Sequence, residues 1–231
     1  MRVRVAIALT AVTVTVLALP ACSAETAKAR PSTVSSARAG KPADTGQDGA
    51  PLASAALQKR LLDESDLGSG YLRKQERPSQ HDDVTVLGCP ALNELGSDAA
   101  TGGSLGFPRQ AKAAFTYTDG SNSEIAEELY SNTAQQLSDG IGQIFDAMTG
   151  CATYQVVSGS ARIHVASQAM AAPKLGDEQW SQLLTFSAGG QDTVVKQTAI
   201  RDGSVLLIVS GSPALVDRHL GKALTKAAAT S

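Results

Sequence analysis

Beyond its first twenty or so residues, the 231-residue chain has no apolar run long enough to cross a bilayer. It has no CxxC pair, and neither Cys89 nor Cys151 has a His or a second Cys at ligand spacing. A zinc site is therefore a poor reading of the cysteines. It has no excess of cations: the formal net charge is -2 at pH 7, which gives no reason to expect nucleic acid or another polyanion as a partner. It has only three histidines, and nothing in the sequence gathers Ser, His and Asp into a triad. No repeat of solenoid type occurs. The sequence thus shows no recognisable pattern for catalysis, metal binding or nucleic-acid binding.

The N-terminus is better marked. Arg2 and Arg4 precede an uncharged apolar stretch, Val5 to Leu19. This has the length of a signal peptide and is too short to span a bilayer. The arginines are not adjacent, so a twin-arginine route is not indicated. Leu19-Pro20-Ala21-Cys22 resembles the lipobox of bacterial lipoproteins. That resemblance implies that residues 1–21 are a lipoprotein signal peptide and that Cys22 is acylated at the start of the mature chain. The alternative is an ordinary secreted protein, cut near Ala21, with an unmodified Cys22. Two or three acyl chains give stable anchoring where one binds only marginally. The membrane, through Cys22, is the first expected partner, and the outer face of the cell membrane is the expected location. Removing residues 1–21 takes away two arginines and no acid, so the charge moves from -2 to -4.

Three cysteines leave one over in an exported chain. With lipid on Cys22, Cys89 and Cys151 remain as a pair for a disulfide in an oxidising compartment. Residues 22–52 are rich in Ala, Ser, Thr, Gly and Pro, with mixed charge and no aromatic residue. Such a segment cannot bury enough surface to offset its ordering entropy. It is expected to be a disordered tether with a typical span of roughly 30 Å. Residues 53–231 are long enough for one domain with a real core.

Periodicity orders that domain. Ala53, Leu57, Leu61 and Leu62 share one helical face, ending before the Gly68-Ser69-Gly70 turn. Pro90 suits the first turn of a short helix carrying Leu92 and Leu95. Ala111, Ala113, Phe115 and Tyr117 alternate as a half-buried strand. Residues 125–130 fit a strand or a helix. A helix from about Thr133 to Met148 buries Leu137, Ile141, Ile144, Phe145 and Met148, weakened by Gly140 and Gly142, and delivers Cys151. Strands follow at 154–157, 162–167, 180–187, 193–200 and 205–210, the last two joined by Asp202-Gly203. Ser212-Pro213 opens a final helix with Leu215, Val216, Leu220, Ala223, Leu224 and Ala227 as its buried stripe. This order predicts an α+β fold, a mainly antiparallel β-sheet with helices packed against it and one disulfide.

Apparent chemical motifs fail on context. Gly102-Gly103-Ser104-Leu105-Gly106 matches G-x-S-x-G, but no strand precedes it and Pro108 follows. His81 with Asp82 and Asp83 reads as a solvated loop. His164 belongs to one strand face, and His219 lies among Asp217, Arg218 and Lys222 as a solvent-side residue. Glu124, Glu127 and Glu128 read as a solvated acidic face without calcium-loop spacing. No cofactor and no metal are expected.

Several segments together resemble the PknH-like extracellular domain, the external sensor half of a receptor-type Ser/Thr kinase that also occurs in free-standing lipoproteins. They are Leu61-Leu62 through Asp66-Leu67-Gly68-Ser69-Gly70-Tyr71, Cys89 before a short helix, the helix ending in Cys151, Gly176-Asp177-Glu178, and the closing 205–209 strand and helix. The resemblance covers about residues 53–228. It implies an antiparallel sheet with packed helices, a cleft that receives a small ligand, and no catalytic residues. The chain departs from it in having cysteines for one disulfide rather than two. No kinase or transmembrane segment accompanies the domain, so a signal would pass through a partner. The turn Pro173-Lys174-Leu175-Gly176-Asp177-Glu178 leads into Trp180, the sole Trp. Either Trp180 is a core anchor and Asp177 and Glu178 are turn acids, or the three form one wall of the family's cleft. The reading that results is a non-catalytic binding or sensor domain for a small molecule, a lipid or an envelope fragment. The alternative is an envelope structural lipoprotein with a protein partner and no small ligand.

Overall fold

Residues 205–209 are apolar at every position. As a strand they can only lie mid-sheet with both faces covered. In the computed structural model, which describes residues 50–75, 84–96, 106–119 and 123–229, they do so. Nine strands among the described residues form one sheet: β1 Tyr71–Arg73, β2 Val84–Leu87, β3 Gln110–Tyr117, β4 Ser123–Ser131, β5 Thr153–Ser158, β6 Ala161–Ala169, β7 Glu178–Ala188, β8 Gln191–Asp202 and β9 Val205–Gly211. Their order is β1-β3-β4-β9-β8-β7-β6-β5-β2. Neighbouring strands pair antiparallel throughout. Val205 to Val209 are all buried.

Five helices are described: α1 Ser54–Gln58, α2 Glu64–Leu67, α3 Pro90–Glu94, α4 Ala134–Gly150 and α5 Pro213–Ala227. They cover the sheet diagonally. Val205, Leu207 and Val209 point to one face, where α5 and the α1–α2 segment pack over β3, β4 and β9. Leu206 and Ile208 point to the other face and meet Leu137, Ile141 and Phe145 of α4. Toward β2, the same α4 face buries Val86, Leu92, Met148, Tyr154 and Val165 with α3. The opposite face of β7, β6, β5 and β2 has no described helix on it. Leu87 of β2 lies there, 43% exposed, and Val194 of β8 is 46% exposed on the same side.

The α+β antiparallel architecture is as the sequence predicts, with differences of detail. The single helix expected from Ala53 to just before Gly68 is two. Asp63 caps α2, its side chain accepting from the Asp66 amide while Asp66 accepts from the Asp63 amide. The Leu62 amide donates to Glu127 across the core, so tertiary contacts break the helix where propensity would continue it. Residues 125–130 are strand, paired on both sides. Strands β1 and β2 were not anticipated; at three and four residues they are too short to show a period. Ser212 makes no side-chain cap, and its amide instead donates to the Glu124 carbonyl at 3.0 Å. Gly140 has a packing role: a Cβ there would lie 2.7 Å from the Phe107 ring. Residues 1–49, including Cys22, lie outside the described residues.

Cys89 sits just before α3 and Cys151 just after α4, bonded with Cα atoms 5.7 Å apart across a sequence separation of 62. The link fastens α3 and β2, the far edge of the sheet, to the helix that spans its middle. In the chain-entropy model a loop of this size stabilises by about 4 kcal/mol. Replacing both cysteines with Ala is expected to lower urea-unfolding stability by up to about that amount. An unchanged midpoint would show that the link constrains nothing. Non-reducing peptide mapping should recover the two peptides joined.

Candidate functional site

The 173–178 turn is pinned before β7 begins. Gly176 has φ +65°, and a side chain there would put Cβ 2.6 Å from the Arg201 carbonyl. The Asp177 amide donates to that same carbonyl at 2.8 Å. Only glycine gives both the left-handed conformation and the close approach. The turn therefore lies against the end of β8, beside the β8–β9 hairpin.

Arg201 is the group this placement serves. Its residue is 8% exposed. Nη1 donates to Asp177 Oδ2 at 2.9 Å and to the Gly203 carbonyl at 3.1 Å, and Nη2 donates to Glu178 Oε1 at 3.1 Å. Asp177 Oδ2 also accepts from the Gly203 amide at 2.9 Å. Arg201 and the Ser138 hydroxyl hold Glu178 below the usual carboxylate range. Burial pulls Arg201 down, but Glu178 and Asp177 outweigh it and raise it. One guanidinium thus pairs with both carboxylates of the turn.

Glu178 and Trp180 are two residues apart on β7 and share its α4-facing side. Opposite them in register stand Arg201 and Ala199. Trp180 is half-buried, its ring centroid 6.4 Å from that of Phe145. The structure thus gathers Asp177, Glu178 and Trp180 in one corner formed by the start of β7, the end of β8 and the turn before β7. It also adds Arg201, which the sequence reading missed. The signal was available: Arg201 continues the Gln197, Ala199 side of a strand just before a hairpin turn, where a long cation can fold back over a neighbouring turn.

Other polar groups depart from expectation. The acids of β4 are not one solvated face. On a strand, Glu124 and Glu128 point one way and Glu127 the other. Glu124 is exposed and pairs with Lys74 at 2.5 Å. Glu128 is buried, 2.8 Å from Lys112 Nζ, and accepts from the Tyr130 hydroxyl. Glu127 is buried on the α5 side. His219 is not solvent-side either. It follows Leu215 and Val216 by a helical turn, so it falls on the apolar stripe despite its charged sequence neighbours. Its Nε2 lies 2.7 Å from the Tyr71 hydroxyl. Burial, then Arg218 and Lys222, push its imidazole down, which keeps it neutral.

His164 is exposed on β6. Among the described residues no hydrogen bond joins His164 or His219 to a Ser, Asp or Glu, and no group of three His, Cys, Asp or Glu could hold a metal. His81, Asp82, Asp83 and Ser104 lie outside the described residues. Among the described residues, no helix is long and apolar enough to cross a membrane.

No protein-family model matches the chain, and no curated protein matches it. Among solved structures, the chain is similar to the extracellular domain of PknH from Mycobacterium tuberculosis. That similarity has a TM-score of 0.57 at 15% sequence identity, over 77% of this chain and 97% of that one. At this identity the likeness establishes a shared fold. It agrees with the resemblance carried by the short motifs.

Arg201 is expected to be the fastening of this corner. Arg201→Gln removes both ion pairs and leaves two carboxylates side by side. The cost should be about 1–2 kcal/mol of unfolding stability, with Trp180 emission moving to longer wavelength as the start of β7 loosens. Unchanged stability and emission would mean that the corner is held by the backbone alone.

Proposed function

We propose that the chain is an extracytoplasmic, lipid-anchored binding domain with no reaction of its own. The observation that carries this reading is the pairing of Cys89 with Cys151. It accounts for two of the three cysteines and leaves Cys22, at the end of an export signal, as the one to take lipid. An intramolecular disulfide also suits a compartment outside the cytoplasm. The fold shared with an extracellular domain agrees with this.

The binding site in this reading is the corner built by Asp177, Glu178 and Trp180, with Arg201 behind them. Trp180 offers an amphipathic ring, half-buried and rigidly backed by Phe145. The two carboxylates, both paired with Arg201, give polar recognition beside it. An apolar wall with a few convergent polar groups is the usual make-up of a small-ligand site. The ligand classes it suits are a small molecule, a lipid or an envelope fragment. A second reading, a protein-interaction lipoprotein without a small ligand, draws on the sheet face that exposes Leu87 and Val194.

Two measurements test the reading. Cys22→Ser should move the protein from the membrane fraction to the medium, because the acyl chains supply the anchoring. A variant that stays membrane-bound would place the anchor elsewhere. Titrating the intact chain with an envelope lipid extract should shift or quench the fluorescence of Trp180 saturably. A flat titration while another method detects binding would put the site away from Trp180 and favour the open sheet face.

A further inference from the structure

Glu127 lies at the centre of β4, where the sheet meets α1, α2 and α5, and its residue is 1% exposed. Oε2 accepts from the Leu62 amide at 2.6 Å, in the short link between α1 and α2. Oε1 is buried and has no hydrogen-bond partner among the described residues. Its cross-strand neighbours, Ala113 on β3 and Val209 on β9, are apolar.

The charged groups around it are engaged elsewhere. Lys226 of α5 is 2.8 Å from Asp63 and also bonds Asp66. Lys222 is 3.4 Å from Asp66. Arg73 of β1 lies over the Phe115 ring. The Tyr71–His219 pair in the same layer is closed on itself. Glu127 therefore has no ion-pair partner among the described residues. An ionised carboxylate buried with a single donor is costly, whereas a neutral carboxyl is not. Burial, opposed by the Leu62 amide and Lys226, pushes Glu127 up to about 7.

We propose that Glu127 is a proton-operated latch: with its proton it holds the α1–α2 link against the sheet, and without it that link loosens. The direction follows from linkage. Once the link opens, Glu127 meets water and ionises near 4.5, whereas in place it keeps its proton to about 7. Its contribution is full below about pH 4.5 and is lost as pH rises through 7. Asp63 and Asp66 act in the opposite sense. The hydrogen bond from Lys226 holds Asp63 below its ordinary 3.8. For Asp66, burial pushes up, but Lys226 outweighs it and the net shift is also down. Their contribution is present above 3.8 and falls away as they protonate below it. The link is held most firmly near pH 4–5. Because α1 is the first described helix of the chain, the latch would also govern how firmly the domain's start is held.

The test uses the full chain and amide hydrogen exchange. Corrected for the intrinsic exchange rate, protection of the Leu62 amide should fall by up to about ten-fold per pH unit from pH 5 to 7, then level off. Glu127→Gln, which keeps an acceptor for Leu62 but cannot ionise, should abolish that slope. A pH-independent protection in the unaltered chain, or a slope that survives the substitution, would overturn the latch. If the variant does not fold, carbon-13 NMR of the Glu127 carboxyl in the unaltered chain decides. A midpoint near 7 supports the latch, and one near 4.5 ends it.

Discussion

The structure depends on one constraint: β9 is apolar on both sides and must be covered on both. One helix cannot do that. α5 follows β9 directly in sequence and takes one face, so another helix has to take the other. α4, placed between β4 and β5, does so. Putting two helices on opposite faces of a nine-stranded sheet leaves each covering only part of it. The diagonal cover follows from that shortage. The far strands gain their only described cover from the C-terminal half of α4 and from α3, which explains where the disulfide is placed. Cys89–Cys151 ties the outermost strand region and α3 to the end of α4.

The same geometry decides which polar groups become buried. Strands at the centre of the sheet alternate side chains into two helical layers, so Glu127 and Glu128 in the middle of β4 and Arg201 on β8 are buried whichever way they point. Such groups are tolerated when each finds an opposite charge or enough donors. Glu128 has Lys112 and Tyr130. Arg201 has Asp177, Glu178 and a carbonyl. Glu127 has one amide. An unmet buried group costs about 1–3 kcal/mol against a total stability of roughly 5–15 kcal/mol, so this imbalance is large enough to matter.

Much of the fold was legible in the sequence because it is written in periods. The alternation in 111–117 and the stripes of α4 and α5 survive into the structure with most of the expected residues buried, Tyr117, Ile144 and Leu224 being half-buried. The disulfide was legible from cysteine parity, which needs no geometry. What failed were inferences from composition within a short window. Glu124, Glu127 and Glu128 look like one acidic face only if the segment is a helix. His219 looks solvent-side only if its charged neighbours in sequence are taken as its neighbours in space. Asp63 and Leu62 were read as part of a continuing helix because the acceptor that captures the Leu62 amide lies 65 residues away. In each case a partner distant in sequence reversed a local preference. The candidate corner divides along the same line: its turn and Trp180 were visible locally, whereas Arg201, reached only through the β7–β8 register, was not.

That division bears on what a fold shared at 15% identity can carry. To keep this architecture a sequence must keep the apolar β9 and two amphipathic helices on opposite faces. Those demands are met by many combinations of Leu, Ile, Val and Ala, so they survive when most residues change. The corner at Asp177, Glu178, Trp180 and Arg201 is subject to different demands. Gly176 is required by the backbone, because any side chain would strike the Arg201 carbonyl. Arg201 is required by the two acids, and the acids by Arg201. Trp180 is required by neither, since the layer it joins already contains Phe145, Tyr130 and Leu206. Trp180 packs against that layer yet stays half-buried, beside two acids held by one guanidinium, and this is the arrangement on which the proposed binding site rests.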